Sequence, residues 1–153
     1  MSTLSVELSG QVALVTGAGR GIGKAIAAGL AASGAAVAVN DIDADSAQRT
    51  AQELGSRARA FPADVSDPAA VERMIAAVVR EMGGLQLLVN NAGIEYKTPI
   101  LETPIEEWQR TLAVNLSAAF YTCKAAGPIM RAAGGGVIVN IASIAGHNIP
   151  LPD

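Results

Sequence analysis

The stretch VALVTGAGRGIG, residues 12–23, joins four apolar residues directly to a glycine-rich run, and an alanine-rich segment follows it. The apolar residues favour a buried strand, and the alanine-rich segment favours a helix. Glycines between a strand and a helix let the backbone turn tightly and approach a phosphate, while the free N–H groups and the dipole of the first helical turn attract negative charge. The stretch therefore predicts a strand–turn–helix unit that binds a dinucleotide pyrophosphate.

Apolar runs of strand length recur along the rest of the chain, with helical stretches between them. Alternation of this kind predicts an α/β fold, a Rossmann-type doubly wound parallel sheet of about five strands with helices on both faces. In such a sheet, ligands bind outside the carboxyl ends of the strands. The predicted strands are Val12–Val15, Ala36–Val39, Ala58–Phe61, Leu85–Val89 and Val137–Ile141.

Glycine and proline residues mark the predicted ends of the helices. Glycines are frequent just after a helix, and proline is frequent at its first position. The segment Thr103-Pro104-Ile105-Glu106 also fits a capping box, in which the threonine would cap the next helix. We expect helices to stop at Gly34, Gly55 and Gly83 and to begin at Asp67-Pro68 and Thr103-Pro104.

The composition favours one soluble α/β domain. Half of the 153 residues are hydrophobic (50%) and 16% are charged, so we assign residues 1–153 to a single dinucleotide-binding domain. Aromatic residues make up only 3%, which suits a core of Ala, Val, Ile and Leu around a buried sheet. The formal net charge is −3 and the basic residues are scattered, so we expect neither nucleic acid nor a membrane surface as a partner.

Cysteine usage and the N-terminus indicate a cytoplasmic protein. Cys123 is the single cysteine, so neither a disulfide framework nor a cysteine zinc site is predicted, and we assign no metal site. The first residues carry no pattern of a signal peptide, and no apolar run is long enough to span a bilayer.

Asp41 closes the second predicted strand, where a carboxylate can accept hydrogen bonds from both hydroxyls of an adenosine ribose. The same charge would repel a 2′-phosphate, so NAD is favoured over NADP. Arg20 in the glycine run could offset part of that repulsion. The alternative is that Asp41 is a turn residue, or that one of the acids in Asp41-Ile42-Asp43 caps a helix.

Two more polar segments follow predicted strands: Asp64-Val65 follows the third, and Asn90-Asn91-Ala92-Gly93 follows the fourth. Together with the glycine run they resemble the short-chain dehydrogenase/reductase family in its one-domain form. By this resemblance, Asp64 and Val65 hold the adenine, Gly93 allows close approach of the cofactor, and Asn90 and Asn91 tie the central strands together. The alternative for the two asparagines is a simple turn after a strand. The implied cofactor-binding residues are Thr16, Gly17, Gly19, Arg20, Gly21, Ile22, Gly23, Asp41, Asp64, Val65, Asn91, Ala92 and Gly93.

The resemblance also implies two catalytic residues, Asn115 and Ser143. Asn115 lies in an apolar helical segment, where on its own it would be read as a core asparagine with a buried partner. In the family an Asn at this position helps to hold a water in the proton-relay path. Ser143 follows the fifth strand and would be read as a turn or cap residue, but by resemblance its hydroxyl polarises the substrate carbonyl. Ala142 stands where many members carry an additional Ser.

The family's proton donor, a Tyr with a Lys four positions later, is expected about a dozen residues after the catalytic Ser. Residues 144–153 contain neither Tyr nor Lys, and neither Tyr96 nor Tyr121 is followed by Lys at the required spacing. We therefore expect a C-terminally truncated chain, nearly inactive by itself, because a positioned proton donor contributes about two to four orders of magnitude in rate. The fifth strand would then be an open, apolar sheet edge that favours association.

The resemblance implies an NAD(H)-dependent oxidoreductase that interconverts an alcohol and a carbonyl by hydride transfer, with a small-molecule alcohol or carbonyl as substrate. The alternative is an NAD(H)-binding module or pseudoenzyme subunit without catalysis, and a third reading is a non-functional fragment. Family members commonly pair through long helices, such as the one expected around Trp108 to Met130, so a homo-oligomer is an expected assembly.

Overall fold

The computed structural model describes residues 6–143, and in this range five strands form one parallel sheet in the order β3-β2-β1-β4-β5. The Rossmann-type fold predicted from the sequence is confirmed. The strands are β1 (Val12–Val15), β2 (Ala36–Val39), β3 (Ala58–Ala60), β4 (Leu87–Asn90) and β5 (Val137–Asn140).

The helices between the strands end where the glycines predict. Gly34, Gly55 and Gly83 have φ values of 99°, 92° and 87°, a left-handed conformation that side chains other than glycine rarely adopt. Asp67 caps the third helix by accepting a hydrogen bond from the N–H of Ala69. The helices are α1 (Gly21–Ala32), α2 (Ala44–Leu54), α3 (Pro68–Met82), α4 (Ile105–Leu112) and α5 (Ala118–Ala132), with a π-helical turn at Ala113–Ser117 between the last two.

Alternate residues of β1 point into two apolar layers, one on each face of the sheet. Ala13 and Val15 pack in the layer that contains buried residues of α1 and α2. Leu14 packs in the other layer, against residues of α3 and α5. Because β1 is buried on both faces and lies between β2 and β4, the residues that follow it have a fixed position.

Four details of the sequence interpretation are corrected. Thr103 does not cap α4, because its hydroxyl donates to the backbone carbonyls of Thr98 and Pro99, and Pro104 occupies the N-cap position. Strand β4 spans Leu87–Asn90, so it begins two residues and ends one residue later than predicted, and just before it the side chain of Gln86 accepts a hydrogen bond from the N–H of Val12. Strands β3 and β5 each end one residue earlier than predicted, at Ala60 and Asn140.

Within residues 6–143, no helix has both the length and the apolar character needed to cross a membrane.

Candidate functional site

The carboxyl ends of the central strands open into a cleft of about 460 Å³. It collects residues from the glycine run, from the end of β2 and from the segments after β3 and β4. Eleven of the residues assigned to the cofactor from the sequence line it: Gly17, Arg20, Gly21, Ile22, Gly23, Asp41, Asp64, Val65, Asn91, Ala92 and Gly93.

The glycine loop, residues 17–23, has a shape that only glycine allows at several positions. Gly17 and Gly21 have φ values of 62° and 56°, in the left-handed region. A Cβ atom on Gly23 would lie 2.2 Å from the carbonyl oxygen of Gly17 and 2.5 Å from Nδ2 of Asn91. The loop therefore packs directly on the start of α1, which leaves the first N–H groups of that helix beside the cleft.

Gly19 does not line the cleft; its peptide groups are bonded to the surrounding structure. Its N–H donates to Oδ2 of Asp41 at 2.9 Å, and its carbonyl accepts from the Thr50 hydroxyl at 3.1 Å. Sequence reasoning missed Thr50. The available signal was a polar residue on the buried face of α2, between Ala47 and Ala51.

Asp41 both lines the cleft and holds a turn, so the two readings of this residue are compatible. Its Oδ1 accepts from the N–H of Asp43 at 3.1 Å. The cap of α2 is Asp43, which accepts from the N–H groups of Asp45 and Ser46. Asp41 is therefore left at the cleft, in contact with the glycine loop.

Thr16 lies behind the cleft and holds two strand ends together. It is 2% exposed, and its Oγ1 accepts from the N–H groups of Asn91 and Ala92 at 3.0 and 3.1 Å. In return, Nδ2 of Asn91 donates to the carbonyls of Thr16 and Gly17 at 2.9 and 3.2 Å. The end of β4 is thus tied to the start of the glycine loop.

Asn90 makes the corresponding ties on the other side of β4. Its Nδ2 donates to Oδ1 of Asn140 in β5 at 2.8 Å, and its Oδ1 accepts from the Thr122 hydroxyl at 2.7 Å. The expectation that both asparagines tie strands together is confirmed.

Asp64 stands at the cleft in a network with Ser66 and Arg110. Its Oδ1 accepts from the N–H and hydroxyl of Ser66, and its Oδ2 lies 2.9 Å from Nη2 of Arg110. Burial acts to raise the pKa of the Asp64 carboxyl, but the hydrogen bonds from Ser66 and the guanidinium of Arg110 outweigh it and hold that pKa below its usual range. Sequence reasoning missed Arg110, which also lines the cleft.

Asn115 lies in the π-helical turn, and its side chain is exposed, so the reading as a core asparagine is wrong. Its Oδ1 accepts from the N–H of Ile94 at 2.8 Å and its Nδ2 donates to the carbonyl of Ile94 at 2.9 Å. π-Helical turns are rare and are frequent at functional sites. Asn115 also borders a small cavity of about 50 Å³ beside the polar residues Thr16, Asn90, Thr122 and Asn140.

Ser143 follows β5, is exposed, and lines neither cavity. Residues 144–153, which include the rest of the segment that carries the resemblance around Ser143, lie outside the described residues. In the part of the chain that the structure describes, no group of three or more His, Cys, Asp or Glu side chains is arranged to hold a metal ion.

A parallel sheet with a glycine loop between its first strand and first helix defines a dinucleotide-binding class of α/β protein. Comparison with known families agrees, since the model of the short chain dehydrogenases matches residues 11–151. The chain belongs to the short-chain dehydrogenase family.

Individual relatives include enzymes that are named for sugar alcohols. D-threitol dehydrogenase of Mycolicibacterium smegmatis is 46% identical over 140 residues, which cover 90% of this chain and 54% of that protein. Sorbitol dehydrogenase of Cereibacter sphaeroides is 40% identical over 143 residues, 93% of this chain and 56% of that protein. The chain spans about half the length of the curated relatives it matches.

A solved structure of a 7α-hydroxysteroid dehydrogenase, complexed with NADH and 7-oxo glycochenodeoxycholic acid, has the same fold. It superposes with a TM-score of 0.90 at 34% identity, over 99% of this chain and 60% of that protein. The likeness therefore extends across the sheet and the cleft.

Proposed function

We propose that this protein is the cofactor-binding part of an NAD(H)-dependent oxidoreductase that interconverts an alcohol and a carbonyl. The observation that carries the proposal is the cleft of about 460 Å³ between the glycine loop and Asp41. Family membership supports the reaction class, and the NADH complex of the hydroxysteroid dehydrogenase supports the cofactor.

The residues present fit a dinucleotide. The N–H groups at the start of α1 would receive the pyrophosphate, since the left-handed Gly21 and the exposed Ile22 line the cleft there. Asp41 would accept hydrogen bonds from the ribose hydroxyls, and Asp64 with Val65 would hold the adenine. Gly93 is exposed, and its nearest neighbour would stay 3.6 Å from an added Cβ, so the backbone is open to close approach.

At the reacting end, a nicotinamide held in the cleft would supply or accept the hydride. The Ser143 hydroxyl would donate to the substrate carbonyl oxygen and polarise it. Asn115 fixes the main chain of Ile94 through both of its amide atoms, which keeps the segment after Gly93 in place. We also propose that it supports the proton-relay water, as the family resemblance implies.

Calorimetric titration of the purified chain with NADH and with NADPH, together with a thermal melt, tests the cofactor assignment. We expect saturable NADH binding, a raised melting temperature, and NADPH binding that is weaker by about tenfold or more, because Asp41 repels the 2′-phosphate. The variant Asp41→Asn keeps the shape and one acceptor but removes the charge, so NADPH should gain relative to NADH. If the ratio of NADH affinity to NADPH affinity were the same in the parent and in Asp41→Asn, the proposed role of Asp41 would be refuted.

A second candidate is a nucleotide-binding module without catalysis. It is favoured by the lack of a Tyr with a Lys four positions later within these 153 residues. We propose that the chain by itself turns over little or no substrate. The turnover can be measured as NADH formation from NAD⁺ with D-threitol or sorbitol, the alcohols in the relatives' names. Turnover at the rate of an ordinary dehydrogenase would exclude the hypothesis of a binding module without catalysis.

We also propose that a second copy of the chain packs on the apolar surface of α4 and α5. Five large apolar side chains at spacings of three or four residues are exposed there: Ile105, Trp108, Leu112, Leu116 and Phe120. Light scattering coupled to gel filtration should give a dimer or larger assembly, and Trp108→Glu with Leu116→Glu should shift it to the monomer. A monomeric parent would exclude this assembly.

A further inference from the structure

The peptide that joins Gly19 to Arg20 is held by a residue distant in sequence. Thr50, in the middle of α2, donates its hydroxyl proton to the Gly19 carbonyl across 31 positions of sequence at 3.1 Å. On the other side, the N–H of Gly19 donates to the Asp41 carboxylate at 2.9 Å. The tip of the glycine loop is thus bonded from both α2 and the end of β2.

The Gly19 carbonyl lies outside the hydrogen-bond ladder of α1. The ladder begins with the bond from the N–H of Lys24 to the carbonyl of Arg20, and Arg20 itself is extended, with a φ of −159°. Gly19 is half-buried and Thr50 is 0% exposed. Removing the hydroxyl would leave the carbonyl without this partner in a place that water reaches poorly, which costs free energy and frees the peptide to rotate.

The bonding of Thr50 differs from that of other helical threonines in this chain. A threonine in a helix commonly bonds the carbonyl three or four residues before it. Thr111 does so to Glu107, and the Thr122 hydroxyl lies within hydrogen-bond distance of the carbonyls of Ala118 and Ala119 as well as of Oδ1 of Asn90. Thr50 instead directs its proton out of its own helix to the loop.

We propose that Thr50 is a positioning residue for the pyrophosphate of the dinucleotide. By fixing the Gly19–Arg20 peptide it sets where α1 begins, and so it sets the direction of the N–H groups of Gly21 and Ile22 that face the phosphates. This inference rests on the proposed dinucleotide function, and it adds α2 to the elements that determine cofactor affinity.

The test compares NADH binding by Thr50→Val, Thr50→Ser and Thr122→Val with the parent, by calorimetry. Thr50→Val keeps the volume and removes the hydroxyl, so the Kd for NADH should rise about five- to tenfold, as expected for one lost hydrogen bond. Thr50→Ser keeps the hydroxyl and should stay within about twofold of the parent. Thr122 is equally buried, but its hydroxyl donates to Asn90 rather than to the glycine loop. Thr122→Val should therefore lower the melting temperature without changing the Kd for NADH.

Unchanged NADH affinity in Thr50→Val would overturn the inference. So would an equal loss in Thr50→Val and Thr122→Val, since general destabilisation would then explain both. Should Thr50→Val fail to fold, Thr50→Ala is used instead. It removes the same hydroxyl together with the γ-methyl group and adds no atoms to the core, and the same comparison applies. A parent chain that binds no NADH would refute the proposed function itself, and this inference with it.

Discussion

The glycine loop and the segment that carries Ser143 lie at the same edge of the sheet but are held very differently. The loop follows β1, whose four residues are all buried, and it is bonded to α2 and to the residues that follow β2 and β4. Ser143 follows β5, whose four residues are all exposed, and β5 pairs only with β4 in the part of the chain described. Among the described residues, the proposed nucleotide side of the site is therefore held by several elements, whereas the strand that leads to the proposed substrate side pairs with one neighbour.

The largest expected effect comes from breaking the loop. Gly23→Ala would place a Cβ 2.2 Å from a backbone oxygen that cannot move away cheaply. We expect loss of NADH binding and a free energy of unfolding lower by about 1–3 kcal/mol, the usual range for overpacking. Calorimetry and chemical denaturation measure the two effects.

Gly29→Ala is the matched control for Gly23→Ala, because both glycines lie in α1 and nothing stands within 4 Å of a Cβ on Gly29. This control should be neutral or stabilise the protein by about 0.5–1 kcal/mol. If both variants bound NADH like the parent, the close packing of the loop would not matter for the nucleotide.

Substitutions of the two adjacent asparagines test the glycine loop and the β5 region independently of each other. Asn91→Ala removes the bonds to the carbonyls of Thr16 and Gly17, so it should weaken NADH binding and cost about 1–3 kcal/mol of stability. Asn90→Ala removes the bonds to Asn140 and Thr122, so it should cost a similar stability and leave NADH affinity unchanged. Parallel titrations and melts decide this, and an equal loss of affinity in both would remove the distinction between the regions.

Lowering the pH should reduce the stability of the fold around the cleft, because it protonates Asp64. Because its pKa in the folded protein lies below the ordinary value, the carboxylate stabilises the fold above the ordinary carboxyl range, and this contribution is lost as the pH falls through the lowered pKa. The side chains of Asp64 and Arg110 are 33% and 38% exposed, so we expect no more than about 1 kcal/mol.

Melts of the parent and of Asp64→Asn between pH 7 and pH 3 measure the contribution of Asp64. The variant should be the less stable at neutral pH, and the difference should shrink towards zero in acid. A difference that grows as the pH falls would contradict the assignment.

The smallest effect is expected at β5. Val137 is 56% exposed, so Val137→Lys should change the free energy of unfolding by less than about 0.5 kcal/mol. A lysine on an exposed strand edge opposes pairing with another chain, so concentration-dependent light scattering should fall. A large loss of stability would show that β5 is more firmly held than its exposure indicates.

Local signals in the sequence predicted the fold and the loop. The glycines at the ends of helices and the pair Asp67-Pro68 act through their own backbone, so residue type alone located them. The prediction failed at Thr103, because its hydroxyl could bond either forward to a helix or backward to a turn, and only the folded turn decides which.

Contacts between distant elements could not be predicted in the same way. Thr50 and Arg110 meet their partners across 31 and 46 positions, and nothing in the residues near them identifies those partners. The family resemblance identified Asp64 from its motif. Its partner Arg110 lies on α4, and the position of that helix against the cleft could not be predicted from the sequence.

The π-helical turn at Ala113–Ser117 has a consequence for how the gene can change. Its backbone bonds span five residues instead of the four of an α-helix, so loss of one codon there would let the turn revert to a regular helix. That deletion would rotate Asn115 away from Ile94 and, in the same event, misalign the apolar side chains of α4 with those of α5. The length of this short segment is therefore constrained twice, and insertions or deletions should be tolerated far less well there than substitutions.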